Sequence, residues 1–143
     1  MENTTIQKTR FTFSKHERLG SRKALEHIFK SGKKINESTI QILWMESDSK
    51  EKALLKIAIS VPKKNFKKAV DRNKIKRQIR EAYRLNKHKI LPLIKSTGKK
   101  FSAVILFTGK VPLAYPETEA KIILTLQRFA SKVCDQSSQN FSS

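Results

Sequence analysis

Apolar residues recur in two rhythms along the chain, and the switches between them mark out its elements. Ile40, Ile42 and Trp44 alternate with Gln41, Leu43 and Met45, a period of two that predicts a strand with two usable faces. A second strand is expected over 54–61, closed by Pro62, which has no N–H to continue a ladder. Residues 102–108 read SAVILFT, the near-continuous apolar run of a strand covered on both faces. Helical spacing fills the gaps. Leu25, Ile28 and Phe29 follow a capping Ser21 and stop at Gly32. Ile75, Ile79, Ala82 and Tyr83 form a stripe on a helix from about 67 to 91, limited by Pro92. Ile122, Leu126, Phe129 and Val133 continue a helix that opens at Pro116. A short extra strand fits near 33–36. The order α-β-β-(β)-α-β-α places the fold in the α/β class, an α+β two-layer sandwich of one small central sheet with helices packed on it.

The same pattern divides the chain. Residues 1–20 are polar, with Phe11 and Phe13 alternating with hydroxyl and basic side chains, and read as an extended N-terminal arm. Residues 21–134 form one domain, and 143 residues suffice to bury a core without covalent staples. The stretch 135–143, DQSSQNFSS, is expected to be a disordered tail. The longest apolar run, 103–107, is far short of the roughly 20 residues that span a bilayer, and the first residues lack the apolar stretch of a secretory signal. A single cysteine, Cys134, excludes an intramolecular disulfide or a Cys-rich zinc site and fits a reducing cytoplasm.

Charge changes the picture most. Thirty-one Lys+Arg against 12 Asp+Glu leave +19, a self-repulsion that points to a polyanionic partner. Residues 63–89 hold twelve of the cations against only Asp71 and Glu81. On a helix, Arg72, Lys76, Arg80 and Arg84 are successive i, i+4 neighbours, with Asn73 and Arg77 beside them. A solvated helix face usually mixes signs at that spacing, whereas this one stacks like charges, as nucleic-acid binding requires. A membrane surface fits less well, because the opposite side of the helix is committed to a core. No zinc-finger spacing or leucine zipper is present, and a cationic helix flanked by a sheet suits RNA read by shape and backbone. Phe11, Phe13 and Phe29, with the Gln41/Leu43 side of the first strand, are candidates for stacking unpaired nucleotides. Core packing is the alternative for Phe29, and stapling of the arm for Phe11 and Phe13.

Residues 72–81 read Arg-Asn-Lys-Ile-Lys-Arg-Gln-Ile-Arg-Glu. This resembles the R-N-x-x-K-R-x-x-R-E helix of the protein subunit of bacterial ribonuclease P. The preceding Pro62-Lys63-Lys64-Asn65, and Phe13, Arg18 and Leu19 upstream, are also similar to that family. The resemblance covers roughly 13–133. It implies a compact α/β fold with a left-handed βαβ crossover around the cationic helix. It also implies that a catalytic RNA with bound Mg²⁺ performs phosphodiester hydrolysis, while the protein binds that RNA and the 5′ leader of precursor tRNA, with no obligate protein partner. Carried over by position, Arg72, Asn73, Lys76, Arg77 and Arg80 become RNA contacts, extended by Lys63 and Lys64; Lys67, Lys68, Lys74 and Arg84 of the same basic stretch are counted with them as RNA-binding candidates. Phe13, Phe29, Gln41 and Leu43 line the leader cleft. Two positions depart from the family pattern: Lys74 stands where an arginine is frequent, and Lys110 follows the buried strand where the family often has an arginine.

Chemistry within the chain itself has little support. Glu46/Asp48 and Glu117/Glu119 fit a strand end and the capped start of a helix, and His16, His27 and His88 lie far apart without partners at ligand spacing. No nucleophile–base pair and no metal set can be assembled, which agrees with what the resemblance implies, a non-catalytic subunit of an endoribonuclease. A ribosomal or RNA-assembly binder remains the alternative, and a self-sufficient metal-dependent nuclease a more distant one.

Overall fold

The computed structural model describes residues 13, 15–37 and 39–142, without the side chains of Glu37 and 136–142. Its elements are α1 (Arg22–Ser31), β1 (Lys33–Glu37), β2 (Ile40–Glu46), β3 (Leu55–Ser60), α2 (Ala69–Asn86), α3 (Leu91–Ser96), β4 (Phe101–Phe107) and α4 (Tyr115–Ser142), with 3-10 turns at Lys15–Glu17 and Lys87–Lys89. The four strands form one sheet in the order β1-β2-β4-β3. β1 with β2 and β2 with β4 run antiparallel, while β3 and β4 pair in parallel. The β3–β4 connection is therefore a crossover carrying α2 and α3. The mixed α/β architecture expected from the sequence is present, with the extra strand at Lys33–Glu37.

The two faces of the sheet are covered unequally. One face carries the large core: Ile40, Ile42 and Trp44 of β2, Leu55 and Ile57 of β3, and Phe101, Ala103, Ile105 and Phe107 of β4. Ile75, Ile79, Ala82 and Tyr83 of α2 and Ile122, Leu126, Phe129 and Val133 of α4 pack onto them. Trp44, Phe129 and Phe101 meet edge to face, with ring centroids 5.2 Å and 5.9 Å apart. Among the described residues, the other face is covered by α1 and the Leu19 segment before it, through a small cluster of Leu19, Ile28, Leu43 and Val104. β4 is one of the two inner strands and is buried on both sides, as its composition predicts.

Local chemistry fixes the joints. The Ser21 side chain accepts from the Ala24 amide at 3.3 Å and caps α1. Gly32 ends α1 because of space: a Cβ there would lie 2.5 Å from the Ile28 carbonyl oxygen and 3.1 Å from that of Trp44. The Leu19 amide donates to the Ile57 carbonyl at 3.0 Å, and Arg18 bridges Ile57 in parallel, outside β3.

Three expectations change. Pro92 does not merely stop a helix: it sits in the first turn of α3, where a missing N–H costs nothing, so a helix absent from the sequence reading follows α2. The last helix runs on to Ser142 through the stretch read as a disordered tail, which contains neither proline nor glycine to end it. Of the arm, residues 1–12, Phe11 among them, and residue 14 lie outside the described residues. Its described part is not purely extended, since Lys15–Glu17 make a 3-10 turn.

Candidate nucleic-acid interface

The cationic helix α2 buries Ile75, Ile79, Ala82, Tyr83 and Asn86 toward the sheet and α4. Its far side presents Val70, Asn73, Lys74, Arg77 and Arg80, all exposed. Lys76 lies half-buried on the flank. The outward row is thus set by 74, 77 and 80, a step around the helix from the 72–76–80–84 ladder that spacing alone suggests. Stacked cations at this spacing repel one another until an anion arrives.

Several cations of the stretch are engaged elsewhere. Arg72 is half-buried, and its Nη1 donates to the carbonyl oxygens of Phe66 at 2.7 Å and Lys67 at 2.9 Å. Arg84 forks onto Glu81, with Nε to Oε1 at 3.0 Å and Nη2 to Oε2 at 2.7 Å. That bond holds the Glu81 carboxyl below its usual range and raises the guanidinium further. Lys87, grouped by sequence with the surface cations, is 5% exposed and pairs with Glu17 of the 3-10 turn. Beside them the buried Tyr83 phenol is held protonated far above its ordinary range, first by burial and then by the Glu17 carboxylate.

Preceding α2, residues 62–68 carry Lys63, Lys64, Lys67 and Lys68, all exposed. This loop has little regular structure, yet it is tied at several points. Phe66 is buried, its ring 5.9 Å from that of Phe107. The Asn65 amide donates to Pro62 O at 3.3 Å, and its side chain donates to the carbonyls of Thr108 at 3.5 Å and Gly109 at 3.4 Å. Asn65 was not singled out for any role from sequence; an asparagine closing a Pro-x-x-Asn turn is the signal that could have found it.

The face under α1 supplies a second surface. Leu43 is buried against Ile28, and Phe29, the next residue of α1, stands out at 48% exposed. Gln41 shares the Leu43 side of β2 and pairs with Leu106, which in turn pairs with Ser60 at the end of β3. A strip therefore crosses the sheet from Gln41 to Ser60 and leads directly into Val61, Pro62 and the lysine loop. Phe13 is not part of this strip. It packs against the large core, edge to face with Tyr83 at 5.6 Å, with the Arg18 guanidinium 5.4 Å from its ring centroid.

Several acidic residues are engaged within the fold. Glu119 lies in the opening turns of α4, as expected, and also accepts from the Asn86 side chain of α2 at 3.1 Å. Glu46 faces Lys99 at 3.6 Å and Glu51 pairs with Lys56 at 2.8 Å. Among the described residues, no three His, Cys, Asp or Glu side chains are grouped as a metal set would be. Among them, too, no helix is long and apolar enough to cross a membrane.

The chain is thus a two-layer α/β protein whose sheet crossover displays an ordered cationic surface. A family model described as Ribonuclease P matches residues 13–128. The ribonuclease P protein component of Porphyromonas gingivalis is 40% identical over 78 residues, 54% of this chain and 57% of that protein. That of Photorhabdus laumondii is 32% identical over 84 residues, covering 59% and 68%. The solved RNase P protein from Thermotoga maritima superposes with a TM-score of 0.63 at 28% identity, over 78% of this chain and 96% of that one. The chain belongs to the ribonuclease P protein family. It spans little more than half the length of the first curated relative it matches.

Proposed function

We propose that this chain is the protein subunit of a ribonuclease P, a cytoplasmic ribonucleoprotein that removes 5′ leaders from precursor tRNA. Lys63, Lys64, Lys67, Lys68, Asn73, Lys74, Lys76, Arg77 and Arg80 contact the catalytic RNA. Phe29, Gln41 and Leu43 border the path of the single-stranded leader. The observation that carries this reading is continuity: the strip from Gln41 to Ser60 runs into the lysine loop and on into the α2 row, so one surface holds leader and RNA together. Each cation set against phosphate releases counterions and weakens repulsion between two polyanions. Holding the leader fixes the scissile bond relative to the RNA, a positioning effect. Mg²⁺ bound by the RNA supplies the metal-ion catalysis of phosphodiester hydrolysis.

The test is to mix the chain with a bacterial RNase P RNA and a precursor tRNA at low Mg²⁺ and follow leader removal. The chain stimulates cleavage, and Arg77→Ala with Arg80→Ala removes most of the stimulation at low Mg²⁺ but little at high Mg²⁺. The double variant also flattens the salt dependence of RNA binding by about 1.8. Cleavage by the protein alone, or equal affinity for precursor and mature tRNA, overturns the proposal. The second result points to a general RNA-assembly binder.

A further inference from the structure

Resting on that reading of the surface, we infer that Arg72 acts as a positioning residue for the lysine loop and not as a phosphate ligand. Its place at the head of the cationic motif suggests direct contact with RNA, but its geometry argues otherwise. The side chain is half-buried and folds back from the first turn of α2 onto the loop that precedes it. A single nitrogen donates to two successive carbonyls, Phe66 O at 2.7 Å and Lys67 O at 2.9 Å. Lys68, the residue before the helix, makes no side-chain cap, and the Arg72 amide donates to its carbonyl at 3.3 Å, so Arg72 holds this entry by backbone as well as by side chain. The charged donor makes these bonds stronger than a neutral one could.

The loop is thereby held from three sides. Arg72 grips the Phe66–Lys67 backbone, the Phe66 ring packs on Phe107, and Asn65 latches to the carbonyls of Thr108 and Gly109 beyond β4. A seven-residue segment bearing four lysines would otherwise sample many arrangements, since like charges push it open and no ladder restrains it. Fixing it beforehand removes an ordering cost from RNA binding. Lysine at 72 would keep the charge but place its nitrogen about one bond short of both carbonyls. The loop lysines deliver the charge to RNA, and Arg72 sets where they stand.

Two measurements test this. In the free protein, Arg72→Ala and Arg72→Lys both speed exchange of the loop's Asn65 amide, which donates to Pro62 O, by about tenfold, while Arg77→Ala leaves it unchanged. In binding to RNase P RNA, Arg72→Lys loses nearly as much affinity as Arg72→Ala. Arg72→Ala combined with Lys67→Ala binds within about twofold of Arg72→Ala alone, because the second change removes a lysine already misplaced. Arg77→Ala is additive with Lys67→Ala and lowers the salt slope by about 0.9. Unchanged loop exchange overturns the inference. So does an Arg72→Lys variant that keeps full affinity, or additivity of Arg72→Ala with Lys67→Ala. Failure of the unsubstituted chain to bind RNA overturns the proposed function instead, and loop exchange then decides the role of Arg72 by itself.

Discussion

The two faces of the sheet are built from alternate residues of the same strands but are closed to different degrees. On one, Trp44, Phe101 and Phe129 interlock beneath α2 and α4, and nearly every apolar side chain is sealed. On the other, α1 covers Leu43 and Val104 and leaves Gln41, Leu106 and Ser60 partly open beside the lysine loop. The closed face supplies most of the stability. The half-open face can therefore hold polar and exposed aromatic groups that a core would exclude. One sheet thus carries a fully packed side and a side that keeps polar and partly open positions.

Removing the ring of Phe129 is the severest way to break that contrast. Phe129→Ala empties the closed face and is expected to cost about 3–5 kcal/mol, a large part of the stability of a domain this size, read from the urea midpoint. On the opposite face, Phe29→Ala is expected to leave the midpoint within about 0.5 kcal/mol. It should nevertheless weaken binding of precursor tRNA by about fivefold or more, with mature tRNA little affected. If precursor and mature tRNA weaken alike, or the midpoint falls with them, Phe29 is a packing residue and the half-open face has no leader role.

Much of this division was legible in the sequence. Alternation at 40–45 separates Ile40, Ile42 and Trp44 from Gln41, Leu43 and Met45, and the structure puts the two sets on opposite faces. Ser21 and Gly32 bound α1 as their chemistry predicts. Contacts between distant parts of the chain were not legible. Lys87 meets Glu17 and Asn86 meets Glu119, so side chains that look like surface groups in sequence are buried by partners far away. Spacing also gives only the angle of a side chain around a helix. It cannot show that Arg72 turns back to carbonyls and Arg84 onto Glu81, and so it places the outward row one step from where it lies. Phe13 falls to the closed face for the same reason: its partner Tyr83 lies seventy positions away in the sequence.

The smallest effect sharpens the comparison within α2 itself. Glu81 is exposed enough that its bond to Arg84 serves mainly to neutralise both groups. Its lowered carboxyl pKa means that the favourable contribution is present above the ordinary carboxylate range and disappears as pH falls through the folded-state value. Arg84→Met should return the Glu81 titration, followed by NMR, to the ordinary range, with little change in stability at neutral pH. A Glu81 titration that stays low in the variant shows that a different cation holds it.

The bridge between Arg18 and Ile57 has a consequence for how copies of the chain meet. An open sheet offers two unpaired borders, each a template onto which another molecule could add a strand. Along β3 that border is met at Ile57 by the protein's own segment at 18–19. Along β1 the exposed Lys33 and Lys34 put charge on the remaining one. Among the described residues, one margin is met by backbone at Ile57 and the other carries like charges, an arrangement that disfavours the addition of a strand from a second copy.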